Sequence, residues 1–80
     1  MTDVATSVRT ALVNTRPSLP EITAETSFAT DLRCDAVDMI CIEIAVSDDC
    51  DVELPALAFE NCGTVGELAA LVDRLRERKA

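Results

Sequence analysis

The chain has 80 residues, enough for one domain, and 49% of them are apolar, which excludes an intrinsically disordered segment. Fifteen acidic residues against seven basic ones give a net charge of −8, so the surface would repel nucleic-acid phosphates and anionic membranes. No apolar run approaches the ~20 residues of a membrane-spanning helix, and the N-terminus lacks a secretory pattern. We therefore expect a soluble, cytoplasmic, monomeric protein with one domain over residues 1–80 and with neither nucleic-acid nor membrane binding.

The first predicted helix covers residues 3–14, and Thr2 or Asp3 can cap its start. Its large apolar residues recur every four positions, as on the buried face of a helix, at Val4, Val8 and Leu12. Pro17 and Pro20 follow, and proline disfavours continuation of a helix.

A long connection follows the first helix, over residues 15–34. A connection of this length in so small a domain must be fastened by its own side chains or carry a function. Its large apolar residues are Ile22, Phe28 and Leu32, and we expect them to fasten it to the core.

The second predicted helix begins after Asp35, which can cap it, while Asp38 at the third helical position suits the positive end of the helix dipole. Apolar residues form two stripes along it, one of Val37, Ile40 and Ile44 and one of Met39, Ile42 and Val46. Two stripes indicate either burial on more than one side or one face kept for a partner. The acidic segment at residues 47–49 is predicted to end this helix.

A short third helix is predicted over residues 56–60, after Pro55, and Gly63 stops it. Thr64 and Glu67 form a capping box for the last helix, which ends in basic residues that suit the negative end of its dipole. The core face of that helix is expected to comprise Leu68, Val72 and Leu75. No strand pattern occurs, so the predicted fold class is all-α: a small four-helix bundle with three longer helices, a short third helix and a long loop between the first and second.

The residue types argue against catalysis and against metal binding. The chain has no histidine, so a serine or cysteine nucleophile lacks its usual base. The cysteines form no Cys-x-x-Cys pair and are Cys34, Cys41, Cys50 and Cys62. We expect reduced thiols, with Cys41 and Cys50 packed as small apolar side chains. The acids at residues 48–53 lack the spacing and the glycine of a calcium loop, so we expect no metal and no enzymatic activity.

Several short segments along the chain together form one pattern of residue types and spacing. They are residues 22–28, 31–32, 35–38, 53–55 and 64–68. With these spacings the chain resembles an acyl carrier protein over essentially its whole length and in the helix order of that family. The resemblance implies an acyl-carrier type of four-helix bundle. It also implies a non-enzymatic carrier or docking role in fatty acid or polyketide metabolism.

In the family, the second helix opens with Asp-Ser-Leu-Asp, and the serine carries 4′-phosphopantetheine through a phosphodiester. Ala36 occupies that position here, so the resemblance implies that the chain as written cannot accept the group. Neither of the nearest serines, Ser27 and Ser47, has an aspartate directly before it together with one two residues after it. Two explanations stay open. Either Ala36 stands in place of a native serine and 4′-phosphopantetheine is the cofactor, or the protein is a carrier-like interaction or regulatory module that never carries an acyl group.

The resemblance further implies a docking surface for basic-patch enzymes of acyl metabolism, namely synthases, transferases and the phosphopantetheinyl transferase. Its residues are Asp35, Val37, Asp38, Ile44, Asp48 and Asp49. The alternative is that the first two aspartates only cap the helix and the last two only solvate its end.

Several residues depart from the family pattern. Cys41 and Ser47 replace acidic recognition residues, and Arg33 stands where a small residue is usual. Cys50 and Cys62 fall where larger apolar residues fill the bundle, so we expect both in the core as thiols, with a bond between them left open.

Overall fold

The structure, a computed structural model, describes residues 3–13, 16 and 18–79, the last of these by its backbone alone. The described chain forms four helices: α1 (Val4–Val13), α2 (Ala36–Cys50), α3 (Ala56–Glu60) and α4 (Val65–Lys79). This confirms the predicted all-α bundle with a short third helix and a long α1–α2 connection. Four residues of the predictions lie outside the described part of the chain. They are the candidate cap Thr2, the predicted helix end Asn14, and Thr15 and Pro17 in the predicted connection.

The core is mainly aliphatic but includes Phe28 and Phe59, and α1 packs against α2 and α4 while α3 packs against α4. The predicted inner faces of the long helices are confirmed, and their fully buried large side chains are Val8, Leu12, Ile42, Val46, Leu68 and Val72. Leu75 packs against this core while half-buried. None of the helices in the described part of the chain is long and apolar enough to cross a membrane.

The start of α2 has the predicted capping box. The backbone N–H of Asp38 donates to Asp35 Oδ1 at 2.8 Å, and the N–H of Asp35 donates to Asp38 Oδ2 at 3.3 Å. The helix ends at Cys50, directly after the acidic segment at residues 47–49, and Val46 and Cys50, one turn apart, are both buried. Asp51 then ends the helix in a left-handed conformation at φ 53°.

The long connection is tied to the start of α4. Phe28 N–H donates to Gly63 O at 3.0 Å, and Gly66 N–H donates to Ala24 O at 2.8 Å. Phe28 and Leu32 are buried and Ile22 is half-buried, which confirms that these three side chains fasten the connection to the core. As a result, a fixed segment leads into α2.

The predicted start of α3 and cap of α4 are present. Helix α3 follows Pro55 as predicted, but Asn61, and not Gly63, is its C-terminal cap. Thr64 Oγ1 accepts the N–H of Glu67 at 3.2 Å and so caps α4.

Candidate functional site

One side of α2 faces solvent. Its large apolar side chains are 67%, 56% and 58% exposed at Val37, Ile40 and Ile44, respectively. The stripe of Ile42 and Val46 is buried, with Met39 packed beside it, so the two stripes have opposite surroundings. We call the exposed set the α2 outer face; it comprises Val37, Ile40, Cys41, Ile44 and Asp48. Of the two alternatives for the stripes, the structure supports a face left open.

The prediction that Cys41 packs in the core is wrong. Its side chain is exposed. The next residue, Ile42, is the first fully buried residue of α2, whereas position 41 lies on the outer face between Val37 and Ile44. A thiol therefore sits in the middle of an apolar surface.

The other cysteines lie in or beside the core, and all four are free thiols. Cys50 is buried and lines a surface pocket with Ala69 and Val72, whereas Cys62 is half-buried and lines another pocket with Ala70 and Leu71. The two thus lie along different sides of α4, and they are not bonded to each other. Burial raises the pKa of the thiols of Cys34, Cys50 and Cys62, which keeps them protonated near neutral pH.

Ala36 is the first residue of α2 and is exposed. Its methyl side chain has no oxygen that could form a phosphodiester. Ser27 lies in the connection, where its N–H donates to the carboxylate of Asp31 at 2.8 Å, and Ser47 lies near the opposite end of α2. The residues at the start of α2 therefore do not fit a phosphodiester-linked prosthetic group.

Arg16 reaches the start of α2 from the connection. Its Nη1 donates to Leu32 O, and its Nη2 donates to Arg33 O at 3.1 Å and to Asp38 Oδ2 at 2.6 Å. The hydrogen bond from Arg16 holds the pKa of the Asp38 carboxyl below its ordinary value. Sequence analysis missed this residue, since no periodicity or motif relates position 16 to position 38.

The turn between the connection and α2 has an unusual backbone. Arg33 adopts a left-handed conformation at φ 50°, which costs a residue other than glycine about 1–2 kcal/mol. This explains why a small residue suits the position. The conformation is held locally because Cys34 N–H donates to Phe28 O at 2.8 Å and Arg16 binds the Arg33 carbonyl.

The six residues predicted as a docking surface fall into two groups. Five are exposed, namely Asp35, Val37, Ile44, Asp48 and Asp49, and Asp38 is half-buried. Three of the aspartates also bond within the chain: Asp35 caps α2, Asp38 pairs with Arg16, and Asp49 Oδ2 accepts from the buried Ser7 Oγ at 2.8 Å. Within the described residues, no three His, Cys, Asp or Glu side chains lie close enough to share a metal ion.

Comparison with known proteins finds relatives that match over most of their own length and most of this chain. No protein-family model matches the chain. The acyl carrier protein of Phenylobacterium zucineum is 32% identical over 73 residues, which cover 90% of this chain and 92% of that protein. The acyl carrier proteins of two strains of Caulobacter vibrioides are each 30% identical over 73 residues, covering 90% of this chain and 94% of theirs.

Proposed function

The chain belongs to the acyl carrier protein family, and from that premise we propose that it is a non-enzymatic docking domain of acyl metabolism that cannot, with Ala36, accept 4′-phosphopantetheine. The observation that carries the proposal is the place of Ala36. It is exposed at the first position of α2, directly after the capping Asp35, and it offers no nucleophilic oxygen. We further propose a single cytoplasmic domain that acts as a monomer.

The proposed docking surface is the α2 outer face with Asp35 at its N-terminal end. Exposed apolar side chains at Val37 and Ile44 lie between acids at Asp35 and Asp48. A partner with an apolar centre and a basic rim complements such a surface, and the net charge of −8 would accelerate its approach. The partners we propose are therefore basic-patch enzymes of acyl metabolism.

A second candidate is a carrier-like interaction or regulatory module with a partner of its own. Two aspartates of the docking set, Asp38 and Asp49, already bond within the chain, to Arg16 and Ser7. An uncharged thiol also occupies the centre of the outer face at Cys41. The Arg16 ion pair offsets the charge of Asp38, and the thiol adds no charge of its own, so this surface is less acidic toward a generic basic enzyme. If Ala36 instead stands in place of a native serine, 4′-phosphopantetheine would be the cofactor of the native chain.

Competition for a phosphopantetheinyl transferase tests the proposal. The unaltered chain should inhibit transfer from coenzyme A to the Ala36→Ser variant at concentrations comparable to the KM of that variant, because docking does not need the serine hydroxyl. Ile44→Lys should abolish this inhibition, since it puts a cation on the outer face. The matched control is Val13→Lys, at another exposed apolar residue on α1, and it should inhibit as the unaltered chain does.

Absence of inhibition by the unaltered chain, or equal inhibition by Ile44→Lys, would contradict docking through this face. In the first case the regulatory-module alternative would be favoured.

A further inference from the structure

The contacts of Arg16 converge on the turn that leads into α2. Its guanidinium binds the carbonyls of Leu32 and Arg33, which lie before and at the left-handed residue of that turn. The same group binds the carboxylate of Asp38 in the first turn of the helix. Both side chains of the ion pair are largely shielded, with 26% of Arg16 and 17% of Asp38 exposed.

These contacts form one continuous link. Asp38 Oδ2 accepts from Arg16 and also from the N–H of Asp35, the residue directly before Ala36. The guanidinium has several N–H donors in a planar fork, so it can hold two carbonyls and a carboxylate at once. A lysine side chain ends in one ammonium nitrogen and lacks this planar arrangement of donors.

We propose that Arg16 is a positioning residue: it holds the turn over residues 32–35 in one conformation and thereby fixes where residue 36 lies at the start of α2. The left-handed conformation at Arg33 is unfavourable by itself, and Arg16 stabilises it through the carbonyls on both sides of the Arg33 nitrogen. The inference rests on the proposed function only in that a partner docks at the start of α2, where residue 36 lies.

Amide hydrogen exchange tests the structural half of this inference in the chain as it is. Arg16→Met should speed exchange at the amides of Asp35 and Asp38 about tenfold, since both donate within the capping box that Arg16 supports. The amides of Phe28 and Gly66, tied to Gly63 and Ala24, should keep their rates. Arg16→Lys should give an intermediate increase, and Arg9→Met, which removes the same charge from exposed α1, should give none. Unchanged exchange at Asp35 and Asp38, or an equal rise throughout the chain, would overturn the inference.

Transfer kinetics in the Ala36→Ser background test the positioning half. In this reaction the introduced serine oxygen bonds to the phosphorus of the phosphopantetheine unit of coenzyme A, adenosine 3′,5′-bisphosphate leaves, and the hydroxyl proton is released. Adding Arg16→Met should lower kcat about tenfold or more at nearly constant KM, because misplacement of the nucleophile affects the chemical step more than docking. Arg16→Lys should restore part of the loss, and Arg9→Met should change neither constant.

A change in KM alone, or a rise in kcat/KM, would overturn positioning and make Arg16 a modulator of surface charge. If Ala36→Ser accepts no group while Arg16 is intact, the proposed function fails, and the exchange measurement alone decides the role of Arg16.

Discussion

Ile42→Ala should lower the free energy of unfolding by about 2–5 kcal/mol, whereas Ile44→Ala should change it by less than about 0.5 kcal/mol. The two isoleucines lie two positions apart on α2, but Ile42 is 0% exposed and Ile44 is 58% exposed. Truncation of Ile42 removes buried methyl groups and leaves a cavity, while truncation of Ile44 removes atoms that already face water. Because domains of this size are stable by only about 5–15 kcal/mol, the first change should be large. Urea denaturation followed by helical circular dichroism measures both values.

The pair also tests which face of α2 is free. Equal losses for both variants would mean that Ile44 is covered in solution, by a second copy or by another part of the chain. The proposal that the outer face awaits a partner would then be contradicted, as would the expected monomeric state.

Gly66→Ala should destabilise the fold by about 1–3 kcal/mol, although alanine is the better helix former in the first turn of α4. A Cβ at Gly66 would lie 2.7 Å from the carbonyl oxygen of Ala24, and that oxygen also accepts the Gly66 N–H. The clash is with backbone, so the connection must move away from α4. Gly63→Ala is the matched control. Its Cβ would meet only the flexible Glu67 side chain, at 3.4 Å, and the change should be neutral or stabilising by about 0.4–1 kcal/mol.

Thermal and chemical unfolding of the two glycine variants would measure this difference in stability. If Gly66→Ala were as stable as Gly63→Ala, the tie between the connection and α4 would be dispensable. The account of how the segment before α2 is fixed would then lose one of its supports.

Local signals explain what could be predicted from the sequence. The capping box of Asp35 and Asp38, the cap at Thr64 and the short helix after Pro55 each depend on residues a few positions apart, and each is present in the structure. The buried faces of the long helices follow from apolar periodicity, which is also local.

The failures depend on contacts that are distant in sequence. Cys41 is apolar enough for either side of α2, and only the packing of α1 against α2 decides that Ile42 and not Cys41 is buried. Arg16 bonds to residues 16, 17 and 22 positions further along the chain, and no local pattern records such contacts.

Intact-protein mass spectrometry tests the central claim most directly. The unaltered chain and the Ala36→Ser variant would each be incubated with coenzyme A and a phosphopantetheinyl transferase. The account predicts no change in mass for the unaltered chain and the addition of one phosphopantetheine to the variant, at residue 36. A gain by the unaltered chain would show attachment at another serine, such as Ser27 or Ser47, and would contradict the account.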